Sequence, residues 1–84
     1  MPAYIYRSRK NVLVGPFASA DDALYHRIQF QLADSDRTGR PVNPGEIVSA
    51  EEAVTVCIRH KVVRLTPEED LRIARESRVV SEIA

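Results

Sequence analysis

The sequence predicts an α+β domain: an N-terminal two-stranded β-hairpin followed by about three helices packed on it. Two observations carry this prediction. Residues 3–8 and 11–15 are short runs rich in aromatic and β-branched types, with the polar stretch Arg7–Asn11 between them. That is the pattern of two strands joined by a turn. Further on, Ser19, Ser49 and Thr66 each open a segment with acids in its first turn, as helix starts do. The chain has 84 residues, the size of one small domain, 1–84.

The elements follow in order. Gly15-Pro16 punctuates the end of the second strand. Ser19 caps the first helix, and Asp21 and Asp22 suit the positive end of its dipole. Ala20, Leu24, Ile28 and Leu32 recur every four residues and predict a buried stripe, widened by Ala23, on a helix over about 20–33. Residues 34–46 hold two Pro and two Gly and read as a loop. Ser49 and Glu52 have capping-box spacing. Ala50, Ala53, Val54, Cys57, Ile58, Val62 and Leu65 follow at helical spacing. Val54, Val56 and Ile58 also alternate as a strand would, so residues 53–64 are ambiguous, and the cap favours helix. Thr66 caps a third helix with Pro67 in its first position. Leu71 and Ala74 form its inner face, with Ile73 beside them, and 78–84 either continue it or leave as a short strand.

Composition narrows the function classes. Lys plus Arg and Asp plus Glu are 12 each, 44% of residues are hydrophobic and 29% charged. The balance is that of a globular domain rather than a disordered chain, and zero net charge removes the global signal of a nonspecific nucleic-acid binder. No apolar run approaches the roughly 20 residues of a membrane-spanning helix. The single Cys and the absence of a signal-like N-terminus predict a cytoplasmic protein.

Four constellations could carry chemistry. Cys57 and His60 have metal-ligand spacing, but only His26 is left to complete the set and a second Cys is missing, so no metal is expected. Asp34, Asp36, Thr38 and Gly39 resemble the opening of an EF-hand loop. Gly45 stands where the bidentate acid belongs and Pro41 has no N–H to give, so an Asp-rich turn is the reading. Cys57 with His26 or His60 could be written as a nucleophilic dyad, yet Cys57 falls on the expected apolar stripe, where a thiol is inert. No phosphate loop or nucleophile elbow is present. No enzyme activity and no cofactor are expected. Finally, the run Val12-Leu13-Val14-Gly15-Pro16-Phe17-Ala18-Ser19-Ala20-Asp21-Asp22-Ala23 resembles the strand-to-helix motif of SPOR peptidoglycan-binding domains. The resemblance covers about a dozen residues, residues 40–84 do not repeat it, and no binding residue is carried over.

The expected function is therefore a noncatalytic protein–protein interaction module: a small intracellular regulator, inhibitor or adaptor of a larger protein or protein complex. Short accessory proteins of phages and mobile elements share this size and style. Exposed Tyr and Arg are favoured at interface hot spots, which nominates Tyr4, Tyr6, Arg7, Arg9, Tyr25, Arg37 and Arg40. A homodimer is a further option, and no membrane partner is expected. The alternative is a small dimeric DNA-binding transcription regulator using residues 49–78 as a helix-turn-helix, with Arg59, Lys61 and Arg64 on nucleic acid. The acids Glu68, Glu69 and Asp70 at the start of the would-be recognition helix count against it.

Overall fold

The computed structural model describes the backbone of residues 1–39 and 43–83, and their side chains outside 35–38 and 76–83. The order of elements is β1 (Ala3–Arg7), β2 (Val12–Phe17), α1 (Ala20–Thr38), β3 (Glu46–Ser49), α2 (Ala50–Arg59), β4 (Val63–Leu65) and α3 (Pro67–Ile83). The class is α+β with three helices, as expected. The β-hairpin is present: β1 and β2 pair antiparallel, and Asn11 takes up the left-handed turn position with φ 52°, which Asn tolerates.

The hairpin is, however, only the centre of a four-stranded mixed sheet in the order β3-β1-β2-β4. Both added strands come from segments the sequence reading assigned elsewhere. β3 begins at the last residue of the expected loop and pairs antiparallel with β1. β4 falls within the expected second helix and pairs parallel with β2. The helix stops at Arg59, where the His60 N–H closes its last turn on the Val56 carbonyl. The β-branched run that follows reaches the sheet, with the Val63 N–H donating to the Asn11 carbonyl at 2.8 Å. Sheet pairing thus outweighs helix propensity, which is a weak preference in Val-rich segments.

Connectivity explains the layering. The chain passes from β2 through α1 to β3, then from β3 through α2 back across the sheet to β4. Both crossovers join parallel strands and run in opposite directions, so with the usual right hand they must occupy opposite faces. One face holds a cluster of Ala3, Ile5, Val14 and Phe17 with Ala23 of α1, and α3 packs beside α1. The other holds Leu13 and Val48 with Ala53 of α2. α2 packs on β1 and β3.

All three caps form. The Asp22 N–H donates to Ser19 Oγ at 3.3 Å and the Glu52 N–H to Ser49 Oγ at 3.2 Å. Thr66 and Glu69 exchange bonds, each backbone N–H donating to the other's side chain at 3.1 Å. The helix faces depart from expectation. α1 buries Ala23, His26, Phe30 and Asp34, while Leu24, Ile28 and Leu32 of the expected stripe stand 44–59% exposed. On α2 only Ala53 is buried, and Val54 and Ile58 are exposed at 60% and 80%. Cys57 is exposed rather than packed in a core. On α3 Asp70 and Ala74 turn inward and Ile73 faces solvent. α1 also runs on to Thr38, so Asp34, Asp36 and Thr38 sit on helical backbone and the EF-hand-like loop does not form.

Candidate functional site

Among the described residues, chemistry-bearing side chains gather at an open depression on α3 lined by Glu68, Leu71, Arg72 and Arg75 and at two places against the sheet. The first lies between the sheet and the α1–α3 layer. Strand alternation puts Arg7 on the same face as Ala3 and Ile5, and it is 6% exposed. Its guanidinium meets Asp70 of α3 in a bidentate pair at 2.5 and 2.9 Å. Arg7 Nε donates to the Pro44 carbonyl at 2.9 Å, and the guanidinium carbon sits 3.6 Å from the centroid of the Phe30 ring. His26 of α1 reaches the second carboxylate oxygen, Nε2 to Oδ2 at 2.7 Å, and packs its ring on Phe17. Burial pushes the Asp70 carboxyl up, but the hydrogen bonds from His26 and Arg7 more than offset this and hold it below its ordinary value.

This network ties β1, α1, α3 and the segment before β3 together. Gly45 belongs to that segment, with φ +99°, and a Cβ there would lie 2.8 Å from Arg7 Cγ and from the Tyr6 carbonyl oxygen. The Gly45 carbonyl in turn accepts from Arg27 Nε at 2.8 Å. A cleft of about 170 Å³ reaches Arg7, Asp34 and Asp70 from outside, smaller than the roughly 300 Å³ at which small-molecule sites begin. Every buried side-chain polar atom among the described residues already has a hydrogen-bond partner. The network is thus satisfied internally and acts as a fastening. The dyad of Cys57 with His26 does not assemble, because α2 and α1 lie on opposite faces of the sheet. His60 instead stacks on Tyr6, with ring centroids 6.5 Å apart.

The second place is an open groove on the α2 face. α2 covers the β3–β1 half of that face, and the β2–β4 half is left as a trough. Leu13 of β2 forms its floor and Tyr4 one end. Ala53, Val54, Cys57 and Ile58 form the helix wall, and Arg64 stands on the opposite side. Register accounts for Arg64: it pairs with Leu13 across the parallel β2–β4 ladder, and paired residues share a face. The groove encloses about 230 Å³.

The expected contact residues divide among these places. Tyr4 and Tyr6 are half-buried against the α2 layer. Arg9 is exposed in the β1–β2 turn. Tyr25 is 67% exposed on α1, on the far layer. Arg7 is corrected from surface contact to buried anchor. The side chain of Arg37 and all of Arg40 lie outside the described residues. Arg59, Lys61 and Arg64 are exposed, but the helix-turn-helix they were to serve is not formed: β4 separates α2 from α3, and the two helices occupy opposite faces. No known protein family, curated protein or solved structure matches the chain. Among the described residues no helix is long and apolar enough to cross a membrane.

Proposed function

We propose that this protein is a noncatalytic protein–protein interaction module, a small regulator, inhibitor or adaptor of a larger assembly, with the α2 groove as its contact surface. The carrying observation is the groove's helix wall, where Val54 and Ile58 are 60% and 80% exposed above a buried Leu13 floor. Apolar side chains held out on a rigid helix beside a depression mark interaction sites more often than scattered exposed residues do. Tyr4 at the end of the trough and Arg64 on its flank are residue types favoured at hot spots. Arg64 gives that flank of the groove a positive charge, which suits a partner segment that is apolar with an acidic flank.

The test is a tagged pull-down of the full chain from its native cells, with and without nuclease, at near-physiological salt. The expected result is a stoichiometric protein partner that survives nuclease. Ile58→Asp should weaken its capture by at least about tenfold, the size of a hot-spot loss near 1.4 kcal/mol. Recovery of nucleic acid, or of partners lost after nuclease, overturns the reading. A nucleic-acid role is the second reading, favoured by the exposure of Arg59, Lys61 and Arg64 near one end of α2. It predicts binding that falls steeply with salt, with a logarithmic slope of roughly −2 to −3 for three phosphate contacts.

A further inference from the structure

The zero net charge of the chain hides a segregation of charge that the topology produces. Residues 1–20 and 53–67 contain no acid, and the β2–β4 pairing sets these two stretches side by side. Phe17 and Ser49 both pair with Ala3, so β2 and β3 finish at the same end of the sheet and α1 and α2 start there. Asp21, Asp22, Glu51 and Glu52 occupy their first turns, where acids suit the helix dipole. The opposite end, at Arg7 and Val12, is where the β1–β2 turn, the last turn of α2 and the start of β4 meet.

That end is basic. The turn brings Arg9 and Lys10, and the α2–β4 connection brings Arg59 and Lys61. The two segments are fastened together: the Val63 N–H donates to the Asn11 carbonyl at 2.8 Å, and the His60 ring stacks on Tyr6 of β1. Arg64 follows on β4. All five cations are exposed, and none has an acid partner among the described residues. Of the other charges nearby, Arg7 and Asp34 are buried, and Glu68 and Glu69 start α3 on the opposite face of the sheet from Arg64. Glu46 is an exposed acid at this end, opposite Tyr6 on the β3 edge and three strands from Arg64. From Ala3 to Arg7 the sheet spans roughly 13 Å, more than the ~8 Å over which salt screens charge, so the two ends act separately.

We propose that this basic end binds an acidic run of the partner protein, continuous with the apolar residues that enter the α2 groove. The proposal rests on the groove reading, and the shared residue is Arg64, which flanks the groove and belongs to the basic end. The apolar part of the segment points toward Tyr4 and the acidic part toward His60 and Lys61, which fixes its register in the trough. Two observations favour a protein segment over nucleic acid. The surface beside the cations is apolar, with Val54 and Ile58 exposed, and a phosphate backbone gains nothing there. The acids at the far end repel a long polyanion that runs past the basic end, whereas a short acidic run stops within it.

Fluorescence anisotropy of the full chain tests this with two labelled probes, a peptide of ten glutamates and a single strand of ten thymidines. The peptide should bind, and more weakly as salt rises from about 50 to about 200 mM. Arg59→Gln with Lys61→Gln should weaken it at least about tenfold, two close charge pairs being lost. Ala18→Glu with Ala20→Glu changes the net charge equally at the acidic end and should leave binding within about twofold, because salt screens that distance. All four positions are exposed, and circular dichroism checks that each variant is folded. Peptide binding that is absent at about 1 mM protein, or that both variant pairs weaken alike, overturns the proposal. A thymidine strand that binds more tightly than the peptide overturns it in favour of nucleic acid. In the pull-down, the Arg59→Gln, Lys61→Gln pair should also reduce capture of the partner. Capture lost with Ile58→Asp but kept with that pair sinks the proposal and leaves the groove reading standing. Peptide binding that depends on the pair, with capture indifferent to Ile58→Asp, supports the basic end and fails the groove reading instead.

Discussion

Asp70 is the residue on which the buried network turns. It is the acceptor for both Arg7 and His26, and it is 3% exposed. Asp70→Asn keeps the shape but leaves a buried guanidinium without its counter-charge, which should cost about 3–5 kcal/mol, read from urea unfolding. Replacing both members, Arg7→Met with Asp70→Leu, should recover a large part of that loss, because two desolvated charges leave together. The carboxyl also sets an acid limit. Its pKa is lowered in the folded chain relative to 3.8, so its contribution is fully present above that value and drains away as pH falls below it toward the folded pKa. Unfolding free energy should therefore drop from about pH 4 downward, and Asp70→Asn should flatten that slope. A chain whose acid sensitivity is unchanged by Asp70→Asn would place the proton uptake elsewhere. None of these residues stood out in the sequence as a set, because 19 residues separate Arg7 from His26 and 44 separate His26 from Asp70. The signal for Arg7 was present all the same: it continues the alternation Ala3, Ile5 on one strand face.

At the scale of elements, α1 shows why a repeat of four misleads. Four residues turn a helix by about 400°, so each step drifts about 40° and three steps carry Ala20 to Leu32 through about 120°. The set Ala23, His26, Phe30 and Asp34 mixes spacings of three and four and stays on one side. Two of its members, His26 and Asp34, are titratable, and a pattern of apolar residues alone does not pick them out. The caps were legible from sequence because they depend on neighbours three residues away, and all three form. The exposure of the aliphatic stripe leads to a stability prediction. Leu24→Ser with Leu32→Ser should change the unfolding free energy by less than about 1 kcal/mol, whereas a buried Leu of the expected stripe would cost about 2–5 kcal/mol for each truncation to Ala. Thermal melting at low concentration separates the two.

For the whole molecule, the charged network and the sheet make the N- and C-terminal parts interdependent. α3 supplies Asp70 to a residue of β1 and covers α1, and β4 reaches the sheet only after α2 has crossed it. A chain ending at Leu65 should fail to fold cooperatively, since Arg7 would then be buried without a carboxylate and the α1 layer would lose its neighbour. Far-ultraviolet circular dichroism with a urea titration reads this directly, and a sharp transition near that of the full chain would refute it.

The sequence by itself determined what is local: the hairpin, the three helix starts, the α+β class, and the exclusion of an intramolecular disulfide and of a long apolar span. Those features rest on residues within a few positions of one another, where propensity, capping and turn chemistry act. The tertiary structure alone decided the rest. β3 and β4 are short strands of 4 and 3 residues whose stability comes from pairing with the hairpin rather than from their own composition. The inward turn of Arg7, His26 and Asp70 and the outward turn of Leu24, Ile28, Val54 and Ile58 follow from which face of each helix the crossovers lay against the sheet. Burial is a property of that placement, so a side chain's polarity could not announce it.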